Sequence, residues 1–269
     1  MNIGVTGCNG NVGRELVKRG CVPLECDVTD INSIKSALEQ IVGSLDVIIH
    51  CAAMTDVLWC EQHPKDAMRV NVWGTSNLVE CMNRHQTLVL ISTNHVFSGK
   101  NYFPYAEIHS PSPTNIYGFT KWTAENAARF SVTNVIVVRS NKLFANYLLS
   151  EEIKDMKNRI IRDYPTFIKR NFTYLPDFVD SLLYVANNVD KMPPLLHVSS
   201  EDISSYYQFM QLIAMELGID HKELVLARNH EIDGLIPRPY RGGFNVSLAK
   251  KYKVPIPVTF DGIRKMLAE

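Results

Sequence analysis

The sequence predicts an α/β protein built on a parallel sheet, with a smaller lobe formed by its carboxyl-terminal half. Three observations carry that expectation. A short apolar strand, Met1 to Thr6, runs into Gly7-Cys8-Asn9-Gly10-Asn11-Val12-Gly13 and then a helix. A second apolar strand, Thr87 to Ser92, ends in the hydroxyl pair Ser92-Thr93. Further on comes Tyr117-Gly118-Phe119-Thr120-Lys121, in which Tyr117 and Lys121 share one helix face, a turn apart. The lysine ammonium favours a phenolate, so this spacing predicts a tyrosine pKa below its ordinary value near 10. Such a phenol can exchange a proton near neutrality.

The 269 residues suffice for one large domain with a full core. With 46% apolar and 21% charged residues and zero formal charge, the chain has ordinary globular composition. No basic block points to nucleic acid or to an anionic membrane surface. No apolar run approaches the roughly 18 residues of a bilayer span, and the amino terminus enters a strand directly, so a cytoplasmic protein is expected. Cys8, Cys21, Cys26, Cys51, Cys60 and Cys81 form no C-x-x-C pair, and the histidines have no ligand spacing. Reduced thiols and no metal are expected.

In chain order, Gly7, Gly10 and Gly13 form G-x-x-G-x-x-G, a variant of the dinucleotide loop. Gly7 would allow the tight turn, Gly10 the approach of a pyrophosphate, and Gly13 close helix-to-strand packing. The helix from Asn11 to about Arg19 would aim its amino-terminal N–H groups at the phosphates. The next strand, Cys21 to Cys26, is compressed, and Glu25 is either a ribose selector or a solvated strand residue. Asp27-Val28-Thr29-Asp30 reads as a strand end and a helix cap, with a helix to about Ile41. Leu45 to Ala53 is a buried strand ending in small residues. Trp59-Cys60-Glu61 then precedes a helix that Pro64 opens and that runs to about Arg84. Asn71, within it, either ties a loop near the site or is a satisfied core residue.

Thr93-Asn94-His95 sits at the carboxyl end of its strand, where open α/β sheets bind ligands. Residues 98 to 114, with Pro104, Pro111 and Pro113, read as a surface loop. Val135 to Val138 is a strand leading to Arg139-Ser140-Asn141-Lys142. Beyond it, the pattern predicts an amphipathic helix over Glu151 to Arg162 and a helix capped or opened by Asp177. A strand over Leu195 to Ser199, a helix over Ser205 to Leu217 and a strand near Leu224 to Ala227 follow. The expected division is 1–145 for dinucleotide binding, with later segments adding strands to its sheet, and 146–269 mainly for substrate.

Eight segments together resemble an extended short-chain dehydrogenase/reductase of the dTDP-4-dehydrorhamnose reductase group. They are GCNGNVG at 7–13, DVTD at 27–30, DVIIHCAAMTDV at 46–57, the N-V-x-G-T-x-N-L pattern at 71–78, LISTNHVFSG at 90–99, IYGFTK at 116–121, TYLPDFVDSL at 173–182 and PRP at 237–239. The resemblance implies a doubly wound parallel sheet of Rossmann type with a substrate-binding lobe. It also implies hydride transfer from NADPH or NADH to the keto carbon of a nucleotide-linked 4-keto-6-deoxysugar. Tyr117 would donate a proton, Lys121 would lower its pKa and hold the nicotinamide ribose, and Thr93 would hydrogen-bond the carbonyl. Gly10, Asn11 and Val12 would face the pyrophosphate, Asp27 and Val28 the adenine side, and Ala53, Met54 and Thr55 the middle of the cofactor. Gly7, Asn9, Ala52 and Ser92 would also bind it. The preference between NAD and NADP is unassigned, and a homodimer is compatible with the resemblance.

Two departures bear on substrate. Asn94 and His95 stand where the family commonly has Asp and Tyr, and Lys142 where many members have a substrate-contacting Trp. Asn94 can bind a sugar hydroxyl but cannot act as a base, and Lys142 adds positive charge near the sugar or phosphates. Cys60 also resembles the cysteine of bifunctional 3,5-epimerase/4-reductases that make UDP-rhamnose, a role that needs a nearby lysine to depress its pKa. A third alternative is a dinucleotide-binding subunit without turnover, like the regulatory subunit of methionine adenosyltransferase.

Overall fold

A computed structural model describes residues 1–131, 134–229 and 236–269, without the side chains of residues 131, 221 and 223. Five strands, β1 (Ile3–Thr6), β2 (Val22–Leu24), β3 (Val47–His50), β4 (Thr87–Thr93) and β5 (Val135–Ser140), join Leu195–His197 in one sheet. All its pairings are parallel, in the order β2-β1-β3-β4-β5 followed by Leu195–His197. The short connection after β2 leads past one helix to β3 on the other side of β1. That places the topological switch point between β1 and β3, where doubly wound sheets open a ligand crevice.

Alternating residues of the strands feed two hydrophobic layers. Val47, Ile49, Val89 and Val138 pack with Leu16 of helix α1 (Asn11–Lys18) and with Phe178, Leu182 and Val185 of Leu175–Ala186. Ile48, Leu88, Leu90 and Val137 pack on the opposite face with Ile34, Leu78 and Ala128. The carboxyl-terminal lobe has its own core, in which Phe172 and Phe209 stack at 4.0 Å beside Ile213, Ile263 and Met266. The sheet and its covering layers therefore draw on late segments as well as early ones.

Several expected boundaries change. Trp59, Cys60 and Glu61 lie inside a short helix, Val57–Gln62, because Asp56 caps it by accepting from the Trp59 N–H at 2.8 Å. The helix opened by Pro64 is broken into Pro64–Met68, a π-turn over Arg69–Trp73 and Gly74–Cys81. Gly74 is required there, since a Cβ would sit 2.7 Å from Val28 Cγ2. The expected helix over 151–162 covers Ser150–Lys157 and stops at Arg159, whose φ of 59° closes a left-handed cap with Ile160 N–H donating to Asp155 O. Arg162–Pro165 is instead a strand, paired parallel with Val225–Arg228. Asp177 lies in the first turn of its helix, which Tyr174 caps and Pro176 opens.

The glycine loop depends on close backbone approach. Gly7 adopts φ +64°, and its carbonyl accepts from the Gly10 N–H at 2.9 Å. A Cβ on Gly13 would lie 2.2 Å from Gly7 O and 2.8 Å from Cys8 Cα, both backbone atoms that cannot swing aside. Gly13→Ala is therefore expected to destabilise the protein by roughly 1–3 kcal/mol in urea unfolding, the usual cost of overpacking.

Candidate active site

A cleft of about 1080 Å³ lies above the carboxyl ends of β1, β3, β4 and β5 and reaches into the carboxyl-terminal lobe. Gly10, Asn11, Val12 and Gly13 form one end, and Arg170, Arg228 and Arg238 line the other. Between them Ser92, Thr93, Tyr117 and Lys121 meet. The helix Ile116–Ser131 supplies the last two, and it can press against the Asn94–Val96 turn because residue 118 is glycine. A Cβ there would lie 2.1 Å from His95 O.

Thr93 lines the cleft beside Tyr117, and its Oγ1 accepts from the His95 N–H at 3.2 Å. Burial pushes the Tyr117 phenol up to about 12, only partly opposed by Thr93. This reverses the direction expected from the Tyr-Lys spacing, because desolvation of the phenolate outweighs any favourable charge. Lys121 is 3% exposed, and burial lowers its ammonium to about 8 against the opposing Glu125 and Cys51. At neutral pH the pair is therefore a protonated phenol beside a lysine poised near its titration point.

A polar chain holds this arrangement from behind. Asn71, in the π-turn, accepts from the Met54 N–H at 2.7 Å and donates to Met54 O and to Thr120 Oγ1. Thr120 in turn donates to Tyr117 O, while Thr75 donates to Asn71 O and accepts from His50. Both readings of Asn71 thus hold: it is satisfied, and it ties the Met54 loop to the tyrosine helix.

The cleft wall includes Gly10, Asn11, Val12, Ala53, Thr55, Ser92, Thr93, Asn94, Tyr117, Lys121 and Lys142 from the sequence-predicted set. Gly7, Asn9, Asp27, Val28, Ala52, Met54 and Cys60 stand outside it. Gly7 serves the turn, Asn9 is exposed, and Asp27 accepts from Thr29 N–H and Oγ1. Val28 is buried under Gly74, while Gly7 abuts the Ala52 backbone. Cys60 is fully buried and donates to Met54 O at 3.6 Å. Burial, with Asp56 and Glu61, pushes its thiol up to about 11, the opposite of what an acid/base cysteine needs.

The glycine end fits a diphosphate. Gly10 caps α1 without a side-chain hydrogen bond, so the amides of the first turn keep no intrahelical partner. Ser92 Oγ is buried without a hydrogen-bond partner among the described residues. At the other end, His95 is neutral. Asn115 donates to Pro237 O and accepts from the Gly118 N–H, which leaves its Nδ2 donating to His95 Nδ1 at 3.0 Å. Burial, together with Arg170, Arg238 and Lys142, lowers the His95 imidazole to about 3.

The whole chain, residues 1–269, matches the RmlD substrate binding domain model. The protein belongs to that family. It is 27% identical over 254 residues to dTDP-4-dehydrorhamnose reductase of Mycolicibacterium smegmatis, covering 89% of this chain and 76% of that one. It is 25% identical over 297 aligned positions to the Escherichia coli enzyme of that name, covering 100% and 98%. The solved Bacillus anthracis dTDP-4-dehydrorhamnose reductase, in complex with NADP, has a TM-score of 0.90 at 24% identity, covering 100% of this chain and 99% of that one. At that identity the likeness establishes the fold. Sequence reasoning missed Arg170 in this family member. Its signal was a charged pair, Lys169-Arg170, interrupting the apolar and aromatic run from Phe167 to Tyr174.

Two measurements test this architecture. Asn71→Ala strands the Met54 amide and carbonyl, so it is expected to cost roughly 2–4 kcal/mol in urea unfolding. Lys121 has a folded pKa near 8 against 10.5 in its ordinary state. Between those values the unfolded chain binds the extra proton, so stability rises with pH. Relative to Lys121→Met, the wild-type protein is expected to gain roughly 3 kcal/mol from pH 8 to 10.5. A flat difference across that range would contradict it.

Proposed function

We propose that this protein is an NAD(P)H-dependent reductase of a nucleotide-linked 4-keto-6-deoxysugar. The observation that carries the reading is the meeting of Thr93, Tyr117 and Lys121 midway between a diphosphate-fitting glycine loop and a cation-lined wall. Family membership and relatives named as dTDP-4-dehydrorhamnose reductases support it. When bound, the dinucleotide would supply a hydride to the C4 carbonyl.

The chain's own residues do the rest. Gly10, Asn11 and Val12 would hold the pyrophosphate through backbone amides, and Lys121 the ribose next to the nicotinamide. Thr93 Oγ1 would orient the carbonyl oxygen toward the Tyr117 hydroxyl. A phenol held well above neutrality remains a proton donor at every physiological pH, and it transfers its proton as the oxygen becomes an alkoxide. The Lys121 charge stabilises the phenolate left behind. The buried Cys60 thiol, held by Met54 O and outside the cleft, argues against an added epimerase step.

The direct test follows loss of reduced-nicotinamide absorbance with NADPH and with NADH. Its substrates are dTDP- and UDP-linked 4-keto-6-deoxyglucose, with and without an added 3,5-epimerase. Oxidation dependent on that epimerase is expected; oxidation without it would return Cys60 to consideration. Tyr117→Phe is expected to lower kcat by about 10²- to 10⁴-fold. Near wild-type turnover in that variant would remove Tyr117 as the proton donor.

A further inference from the structure

The strand that ends beside the glycine loop is followed by an acid that the protein itself does not use. β2 pairs with β1 so that Leu24 lies opposite Thr6, which puts the next residue, Glu25, level with Gly7. Leu24 and Cys26, on either side of it, pack into the layer of Ile34, and Glu25 is exposed between them. Its carboxylate has no partner among the described residues. An acid about 20 residues past the glycines is placed to accept from the adenosine ribose of a dinucleotide, whereas a 2′-phosphate calls for an arginine there.

The chain after β2 leaves no length for a phosphate-binding loop. Ser33 Oγ accepts from the Asp27 N–H at 3.0 Å, Asp27 O from the Asp30 N–H at 3.1 Å, and Val28 O from Asn77 Nδ2 at 3.1 Å. Val28 itself is buried under Gly74. Only Glu25 and Cys26 separate β2 from this anchored turn, and two residues reach about 7 Å when fully extended. The stretch from Cys21 to Ile34 contains Glu25, Asp27 and Asp30 but no lysine or arginine.

Asp27 adds a second charge. Thr29, donating from its N–H at 2.9 Å and its hydroxyl at 2.8 Å, holds the Asp27 carboxyl below the usual carboxylate range, and Arg69 adds to this. Arg69 is also 3.8 Å from Asp66, so that cation is shared between two acids. A 2′-phosphate carries a charge of about −1.5 to −2 at neutral pH and would meet an acidic turn. An unphosphorylated ribose instead brings hydroxyl donors that a carboxylate accepts.

We propose that Glu25 makes this protein selective for NADH over NADPH, accepting from the adenosine ribose hydroxyls and repelling a 2′-phosphate. This selectivity rests on the reductase reading only for a dinucleotide at the glycine loop, and not for the sugar.

Calorimetric titration at physiological ionic strength tests it with NADH, NADPH, ADP-ribose and 2′-phospho-ADP-ribose, and with no sugar present. The proteins are wild type, Glu25→Gln and Glu25→Arg; the position is exposed, so both variants are expected to fold. Wild type is expected to bind NADH about ten- to hundredfold tighter than NADPH, the range that hydrogen bonds to a charged group supply. The same ratio between ADP-ribose and its 2′-phosphate assigns the difference to the adenosine end. Glu25→Gln is expected to narrow the ratio about tenfold, and Glu25→Arg to invert it. Wild type binding NADPH as tightly as NADH, or a preference that both variants leave unchanged, overturns the selector and leaves the reductase reading standing. Binding of none of the four ligands overturns both.

Discussion

The active-site geometry depends on one buried ion pair. Arg139 leaves β5 in register with Ser92 of β4, and it grips Glu125 on the helix Ile116–Ser131. Glu125, Lys121 and Tyr117 follow one another at four-residue steps, so fixing Glu125 fixes the turns that carry the other two. A buried pair of this kind adds little net stability over apolar packing, but losing one partner leaves a charge stranded, at about 3–5 kcal/mol. It therefore acts mainly on position. Phe97 covers the guanidinium at 5.1 Å, which closes the pair from water. With the helix held at that register, Tyr117 and Lys121 line the cleft together with Thr93 at the tip of β4.

The same constraint explains why small residues recur around the cleft. Gly118 lets the helix rest on His95 O, and Gly242 leaves room for Arg170 and Asn94. Gly13 lets α1 rest on the glycine loop. Each is a place where two elements approach closer than any side chain allows. The π-turn at Arg69–Trp73 adds a polar counterpart by directing Asn71 toward both Met54 and Thr120. The cleft residues are thus mounted on contacts made by backbone and by fully bonded amides, which leave little room for drift.

Much of this was legible in the chain because it is local. The glycine loop, the apolar strands, the Asp30 cap and the 117/121 helical face are patterns a few residues long, and each is where it was expected. What was not legible depends on residues far apart. The Tyr117 pKa runs against its expected direction because spacing reveals a neighbour but not burial. Cys60 was singled out by resemblance alone, and the Asp56-capped helix turns its thiol toward Met54 O. Arg170 meets Pro239 only through tertiary folding, so no local window reveals its place in the cleft wall.

Charge distribution connects these observations. The chain has zero formal charge, yet among the described residues the cleft wall holds Lys121, Lys142, Arg170, Arg228 and Arg238 against the carboxylate of Asp56. Arg228 has Asp163 at 3.4 Å, whereas Arg139, whose charge would disturb the centre most directly, is neutralised by Glu125. The remaining field is positive and concentrated toward one end. Burial, with Arg170, Arg238 and Lys142 adding to it, keeps His95 neutral. The Tyr117 phenol stays protonated at neutral pH because burial away from water disfavours its anion. Burial thus sets the protonation of both Tyr117 and His95, a property that spacing in the sequence does not reveal.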